Sequence, residues 1–284
     1  MIRRAGGVAM LTALLGTLAV SGQLVATPPL IVTAALLPPL GWAGLLLLLD
    51  RRAREPWAPL CAAFLWGAAA AALVAAEVND ALLATHGLGA AVPKLFGPAV
   101  EELAKASALL VVLAVWPGEL NDPLDGIVYG ALAGLGFAAT ENLGYYTVAA
   151  LQGGAPGLTR ALWLRGLLQG MNHAAFTATT GAAVGWAYGT GARRPARAAI
   201  VFVGLALAVL VHAVWNAVAS ETITQVLCGA STPGAPCTPS PAPLDILVTV
   251  PVVVATFMGP LAVVLLAIAT RATKARYSSS REHG

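Results

Sequence analysis

The stretch GPAVEELAKASALLVVLAVW, residues 97–116, has the length and apolar character of a membrane helix, yet it carries charges near its start. A membrane span needs about 20 mostly apolar residues. Here Glu101, Glu102 and Lys105 place two carboxylates and an ammonium within five residues. A charge at the centre of a span costs about 3 kcal/mol on insertion scales. These three residues are therefore candidates for a functional site.

The composition of the whole chain is that of a polytopic membrane protein. Of its 284 residues, 58% are hydrophobic and 10% are charged, whereas a soluble domain carries about a quarter charged residues. The net charge of +3 is too small to suggest a nucleic-acid partner. We predict an all-α fold with eight transmembrane helices. The predicted spans are about 8–27, 29–49, 59–79, 95–116, 125–150, 161–188, 198–220 and 245–269.

These spans form one integral membrane domain over residues 1–284, with the motifs described below in a core at about 95–220 and a disordered cytoplasmic tail at about 271–284. The distribution of Lys and Arg orients the spans. With a cytoplasmic N-terminus, twelve of the 16 Lys and Arg residues fall in cytoplasmic segments, three fall outside and one lies within a span. We therefore predict a multi-pass protein of the cell membrane with both termini cytoplasmic.

The longest predicted outer loop, at about 221–244, contains Cys228 and Cys237. Disulfides form in oxidising compartments, and an outer loop can face one. The two cysteines either form a disulfide or remain free thiols, and the sequence leaves both open. It also leaves the oligomeric state open.

Ionisable residues lie within four different predicted spans. At a rise of 1.5 Å per residue, one residue in each of these spans lies roughly 10–18 Å below the outer surface. These four residues, Glu101, Glu141, His173 and His212, therefore lie at one level in the outer half of the bilayer. Scattered structural charges would have no reason to share a level. The ionisable residues within spans are Glu101, Glu102, Lys105, Glu141, His173 and His212, with Arg165 as a seventh if the sixth span begins early.

The spacing within each span puts polar residues on one helix face, since residues four apart are neighbours on a helix. Each helix thus turns a polar stripe toward a common interior. Small residues at 130–140 and 178–185 allow the helices to approach closely. The residues spaced by four are Glu101 with Lys105, Phe137 with Glu141, His212 with Asn216, and the series Gln169, His173 and Thr177.

This set of side chains suits metal-assisted hydrolysis. His is the commonest zinc ligand, Asp or Glu often completes the ligand set, and a catalytic zinc leaves one position open for water. A nearby carboxylate then acts as general base on that water, and an Asn side chain can donate a hydrogen bond to a developing oxyanion. We predict metal binding by His173, His212 and Glu141, with zinc as the metal, and water activation by Glu101 or Glu102.

Other functions use the same residue types. A buried polar network can simply hold helices together, and transporters use similar groups as proton relays. Many transporters show internal repeats with interrupted helices, and no internal repeat is visible in this sequence. A catalytically inactive scaffold is a further alternative, against which the intact carboxylates and imidazoles argue. The shared depth of the set favours a catalytic site.

Four motifs, in order and on successive predicted helices, resemble those of the PrsW-type intramembrane metalloprotease family. They are EELAK, GFAATEN, HAAFT and HAVWN, within about residues 95–220. The family hallmark is Glu-Glu-x-x-Lys, then Phe-x-x-x-Glu-Asn, then His-containing motifs that end in His-x-x-x-Asn. This family is related to the CAAX-processing and bacteriocin-processing membrane proteases.

The resemblance implies an intramembrane protease that cleaves a membrane-anchored protein, such as an anti-sigma factor, near the extracytoplasmic side of the lipid bilayer. The wider group has been interpreted both as metal-dependent and as glutamate-driven. Of the two adjacent carboxylates, we favour Glu101 as the base. The residues carried over are the essential carboxylate pair Glu101 and Glu102, the imidazoles of His173 and His212, Glu141 where the wider group often has a further His, Asn216 as the partner of His212, and Lys105 as the counter-charge.

Overall fold

The computed structural model describes residues 27–49, 55–85, 89, 91–219, 246–247 and 249–251. Several predictions therefore concern residues outside the described part of the chain. They are nearly all of the first predicted span at 8–27, the loop at 221–244 with its two cysteines, most of the last span at 245–269, and the tail at 271–284.

Every regular element in the described part is a helix, which confirms the predicted all-α class. Helices lie where the spans at 29–49, 59–79, 95–116 and 198–220 were predicted. The helices, numbered in chain order, are α1 Pro29–Leu49, α2 Trp57–Leu83, α3 Gly97–Val115, α4 Pro123–Ala161, α5 Asn172–Gly189 and α6 Arg194–Val214.

Among the described residues, three helices are long and apolar enough to cross a membrane: Pro29–Leu48, Trp57–Leu83 and Arg194–Val218. Helices α3, α4 and α5 are less apolar because they carry the charged and polar side chains of the predicted site. The chain is thus a helical membrane protein, while the count of eight spans and their orientation stay predictions.

Helix α4 begins at a strong capping signal. The Asp122 carboxylate accepts hydrogen bonds from the backbone N–H groups of Leu124 and Asp125, at 2.8 and 3.2 Å. In return, the Asp125 carboxylate accepts the N–H of Asp122 at 3.0 Å. This reciprocal arrangement is a capping box, and Pro123 at the first helical position has no N–H to leave unpaired.

Helix α4 continues past the predicted end of the fifth span at about 150, through a kink, to Ala161. Gly154 has φ 57°, a left-handed conformation that a side chain rarely adopts, and Pro156 follows it. A π-helical segment, Leu162–Leu168, then leads into α5. The predicted sixth span at 161–188 is therefore not one continuous helix, because the π-helical segment takes up its first quarter and a turn at 169–171 follows before α5 begins.

Glycines let α4 and α5 pack backbone against backbone. Gly126, Gly130 and Gly134 recur every four residues on one face of α4, and a Cβ on any of them would overlap a backbone carbonyl of α5. At Gly134 that carbonyl belongs to His173. Small residues at such a spacing are how membrane helices approach closely. The contact fixes the first turn of α5, and with it His173, against α4.

Three π-helical segments lie at the same end of the helices. They are Val92–Phe96 before α3, Leu162–Leu168 before α5 and Trp215–Ala219 after α6. The Asn216 side chain links two of them by donating to the Pro93 carbonyl at 3.1 Å. Short π-helical turns often occur at functional sites. Here they surround the mouth of the cavity described next.

Candidate active site

A cavity of about 220 Å³ lies between the helices, and each of the three π-helical segments contributes at least one residue to its wall. Its wall includes most of the residues predicted for the site, together with carboxamides and aromatic rings. The residues that matter most below are Glu141, Asn142, Asn172, His173, His212 and Asn216.

The charged cluster of α3 lies behind this cavity and surrounds a buried ammonium. Lys105 is fully buried, and its Nζ lies 2.6 Å from Glu102 Oε1 and 3.7 Å from Glu101 Oε2. Spacings of three and four residues place the side chains on one helix face. The Phe137 ring adds a cation–π contact at 4.4 Å. An ion inside a protein is tolerated when it is paired in this way.

Glu102 holds the imidazole of His212. The carboxylate is completely buried, and it accepts from His212 Nδ1 and from the Thr177 hydroxyl, each at 2.9 Å. Because a carboxylate only accepts, Nδ1 carries the proton and Nε2 keeps its lone pair. That Nε2 atom lies 3.7 Å from Glu101 Oε2. Glu102 thus orients His212 toward Glu101.

Glu141 holds the other imidazole in the same manner. His173 Nε2 lies 2.9 Å from Glu141 Oε2, and its Nδ1 lies 3.0 Å from Lys105 Nζ. The carboxylate accepts and the ammonium donates, so Nε2 carries the proton and the lone pair is on Nδ1. The two imidazole rings meet edge to face, with centroids 5.2 Å apart. Each ring therefore donates to one carboxylate and turns its second nitrogen toward the α3 cluster.

Arg165 ties the π-helical segment before α5 to α4. Its guanidinium pairs with the Glu141 carboxylate, and its Nε donates to Asn142 Oδ1 at 3.1 Å. It also stacks over the Tyr145 ring, at 3.6 Å from the centroid. Arg165 was predicted to join the set only if the sixth span began early, and the structure places it in direct contact with Glu141.

The residues present fit a divalent metal. Glu101, His173 and His212 each offer one ligand atom, and these atoms all lie within 4.8 Å of one another. Glu101 Oε2 is buried and has no hydrogen-bond partner in the described structure. One carboxylate with two imidazoles is a donor set of catalytic zinc sites. A metal on His173 Nδ1 would replace the hydrogen bond from Lys105.

The carboxylates of Glu102 and Glu141 occupy the positions that orient metal-binding histidines in many proteins, where the second ring N–H donates to a carboxylate. The geometry therefore groups Glu101 with the two imidazoles and places Glu141 beside His173 and Arg165. The sequence-based assignment of Glu141 as the third ligand stays a prediction.

The structure brings together six of the seven predicted site residues through direct contacts, and the seventh, Asn216, lies on the wall of the adjacent cavity. It also adds residues that the sequence analysis did not select. Asn172 and Tyr145 line the same cavity. Their positions in the sequence could have indicated this, since Asn172 directly precedes His173 and Tyr145 follows Glu141 by four residues. Neither side chain is charged, and so neither stood out in an apolar span.

A Glu–His–His group that could hold a metal ion, inside a bundle that includes helices apolar enough to cross a membrane, fits the class of metallohydrolases that work within the bilayer. The sequence model of the PrsW family intramembrane metalloproteases matches residues 55–256, and the chain belongs to this family. It is therefore an intramembrane metalloprotease, a peptide hydrolase whose family implies a divalent metal. No curated protein and no solved structure matches the chain.

Proposed function

We propose that the protein hydrolyses one peptide bond of a membrane-anchored protein, such as an anti-sigma factor, near the extracytoplasmic side of the cell membrane. The observation that carries this proposal is Glu101. Its Oε2 is buried without a hydrogen-bond partner, 3.7 Å from the unprotonated nitrogen of His212. A carboxylate oxygen and an imidazole nitrogen that make no hydrogen bond, beside a cavity, are available to water and substrate.

Glu101, His173 and His212 are the residues that would hold the metal, which we propose to be zinc. When bound, such a metal supplies a Lewis acid that polarises the substrate carbonyl and makes water more acidic. With Glu101 in the ligand group, Glu141 orients His173 and Glu102 orients His212. The Lys105 ammonium balances the negative charge of Glu101 and Glu102, which lowers the cost of burying these two carboxylates in apolar surroundings.

The proton transfers fall to Glu101, whose carboxylate has two oxygens. One would complete the ligand group, and the other is free to accept a proton from water as the water oxygen bonds to the carbonyl carbon. The Asn216 amide donates one N–H to Pro93, and its second N–H is suited to the oxyanion that develops on the carbonyl oxygen. Glu101 then returns the proton to the departing nitrogen as the C–N bond breaks.

The position of the cavity mouth supports cleavage near the outer surface. The π-helical segments Val92–Phe96 and Trp215–Ala219 border the mouth, and the alternation of Lys and Arg assigns both to the outer side. A helical substrate must unwind before water can attack it, since every backbone group of a helix in lipid is bonded internally. Gly and Pro in the substrate segment favour that unwinding.

The experiment uses Glu101→Gln in the full chain. We expect this variant to fold, to retain a membrane-anchored protein during purification and to leave it uncut, while the wild-type chain cleaves the same protein after mixing. Glu77→Gln, which changes an exposed carboxylate of α2, serves as the matched control and should cleave normally. Cleavage at the wild-type rate by Glu101→Gln, or by His173→Ala with His212→Ala, would contradict the proposal.

A further inference from the structure

The carboxamide of Asn172 is a buried polar group that the proposed chemistry does not use. Asn172 is the first residue of α5, is 3% exposed and lines the cavity beside His173. Neither its Oδ1 nor its Nδ2 has a hydrogen-bond partner in the described structure. It is the one carboxamide of the described chain in which both polar atoms are buried and unpartnered.

Such a group is costly to keep. A buried donor or acceptor without a partner loses its hydrogen bonds to water and gains none in return, so native proteins satisfy nearly all of them. The neighbouring carboxamides differ, because Asn142 accepts from Arg165 and Asn216 donates to Pro93. The wall of the cavity therefore contains, at Asn172, a donor and an acceptor that have no partner.

A carboxamide has the same pair of groups as a peptide unit. Its N–H can donate to a backbone carbonyl while its oxygen accepts a backbone N–H. Extended peptides commonly bind by pairing with an exposed strand, but the described part of this chain contains only helices and no strand edge. The backbone of an unwound substrate therefore has to find its partners among side chains.

We propose that Asn172 binds the backbone of the unwound substrate peptide, donating to one carbonyl and accepting one N–H next to the bond that is cut. This inference rests on the proposed protease function. Because Asn172 directly precedes His173, the bound peptide unit lies within a residue or two of the reacting carbonyl. Asn172 thereby determines which peptide bond of the substrate is placed at the reaction site. It does not select for the side chains of the substrate.

The test uses a synthetic single-span peptide with a Gly-Pro interruption near its extracytoplasmic end, labelled with a fluorophore. A matched series of peptides replaces one backbone amide at a time by an ester, which removes a single N–H. Binding is measured by anisotropy to the full-length Glu101→Gln chain in bicelles, with and without Asn172→Leu. Asn79→Leu is the control, since Asn79 Oδ1 is also buried and unpartnered but lies outside the cavity.

We expect Asn172→Leu to weaken binding of the all-amide peptide about tenfold, as the loss of one or two hydrogen bonds predicts. One ester position should weaken binding to the Asn172 chain and have no effect in the Asn172→Leu chain. The Asn79→Leu chain should keep the full ester effect. Equal ester effects with and without Asn172, or no binding of any peptide, would overturn the inference.

A second measurement needs no substrate. Leucine removes the unpartnered amide, so Asn172→Leu should raise the midpoint of thermal unfolding of the free chain, and a lower midpoint in both Asn172→Leu and Asn172→Ala would show that the amide is structural. The two proposals can fail separately. A wild-type chain that binds the peptide through Asn172 but never cuts it would contradict the protease proposal and leave the binding role of Asn172 intact.

Discussion

Two adjacent glutamates at the start of α3 have opposite surroundings. Glu102 is completely buried and accepts hydrogen bonds from His212 and Thr177 while pairing with Lys105. Glu101 has an oxygen without a hydrogen-bond partner, and it offers a ligand atom within 4.8 Å of one on each imidazole. Neighbours on a helix point about 100° apart, so one carboxylate faces the interior of the bundle and the other faces the reaction site.

This difference predicts different effects on stability for the same substitution. Glu102→Gln leaves the Lys105 ammonium with only the more distant Glu101 carboxylate, and breaking a buried ion pair costs about 3–5 kcal/mol. Glu101→Gln removes a charge whose Oε2 accepts no hydrogen bond, so its cost should be smaller. Thermal unfolding of the purified chain in one detergent gives both midpoints. Equal loss of stability in the two variants would contradict the assigned surroundings.

The metal affinity tests whether Glu141 orients His173 or is itself a ligand. As the partner of His173 Nε2, Glu141 should reduce zinc affinity about 10- to 100-fold when changed to Gln, the usual effect of losing such a carboxylate. Competition with a chelator measures this affinity without any substrate. Glu101→Gln should lose more than Glu141→Gln, and Glu77→Gln should lose nothing. The opposite order would make Glu141 the ligand, as the sequence alone suggested.

The sequence was sufficient to predict which charged and imidazole side chains lie together, but not which carboxylate pairs with which imidazole. Charges and imidazoles in apolar spans stand out, and the common depth of four of them, Glu101, Glu141, His173 and His212, placed them together. Which carboxylate holds which imidazole depends on rotations of separate helices about their axes, and sequence spacing within one helix does not contain that information. The sequence marked charged and imidazole side chains, so an uncharged carboxamide such as that of Asn172 passed unnoticed.

At the scale of elements, the contact between α4 and α5 sets the geometry of the site. Gly134 meets the backbone of His173, whereas Gly144, nearly three turns along the same helix, has open space where a Cβ would be. Comparing substitutions at these two glycines therefore distinguishes the effect of close helix packing from the ordinary effect of glycine on helix stability.

Gly134→Ala should therefore destabilise the chain and reduce activity together, because α5 has to move away and carry His173 with it. Overpacking in a well-packed interior typically costs about 1–3 kcal/mol. Gly144→Ala should be neutral or stabilising by up to about 1 kcal/mol, the usual gain of Ala over Gly in a helix. Unfolding midpoints and metal affinity of the two variants check this. Equivalent behaviour of the two variants would show that the glycine contact is unimportant.

Hydropathy predicted the positions of the helices, but it did not predict the break within the sixth predicted span. The run at 161–188 is apolar enough to be taken as a single span, and its interruption comes from backbone conformation. Gly154 with φ 57° turns the end of α4, and the π-helical segment Leu162–Leu168 separates it from α5. Apolar composition is the same for a helix that spans and one that bends back, so hydropathy alone could not detect the break.

At the scale of the whole molecule, the segments that border the cavity mouth belong to one side of the predicted topology. Lys94 precedes α3 and Arg160 lies near the end of α4, and the alternation of spans puts both on the outer side. The distribution of basic residues and the position of the mouth are independent observations. Together they predict that the reaction site opens toward the extracytoplasmic surface.

A matched pair of threonines tests this orientation. Thr85 follows α2 and Thr190 follows α5, both are exposed, and each hydroxyl donates to the carbonyl four residues before it. The predicted topology places Thr85 outside and Thr190 in the cytoplasm. In a chain whose native cysteines are replaced by alanine, Thr85→Cys should react in intact cells with a maleimide that cannot cross membranes. Thr190→Cys should react only after the cells are opened, and the reverse pattern would turn the cavity mouth toward the cytoplasm and exclude cleavage at the outer surface.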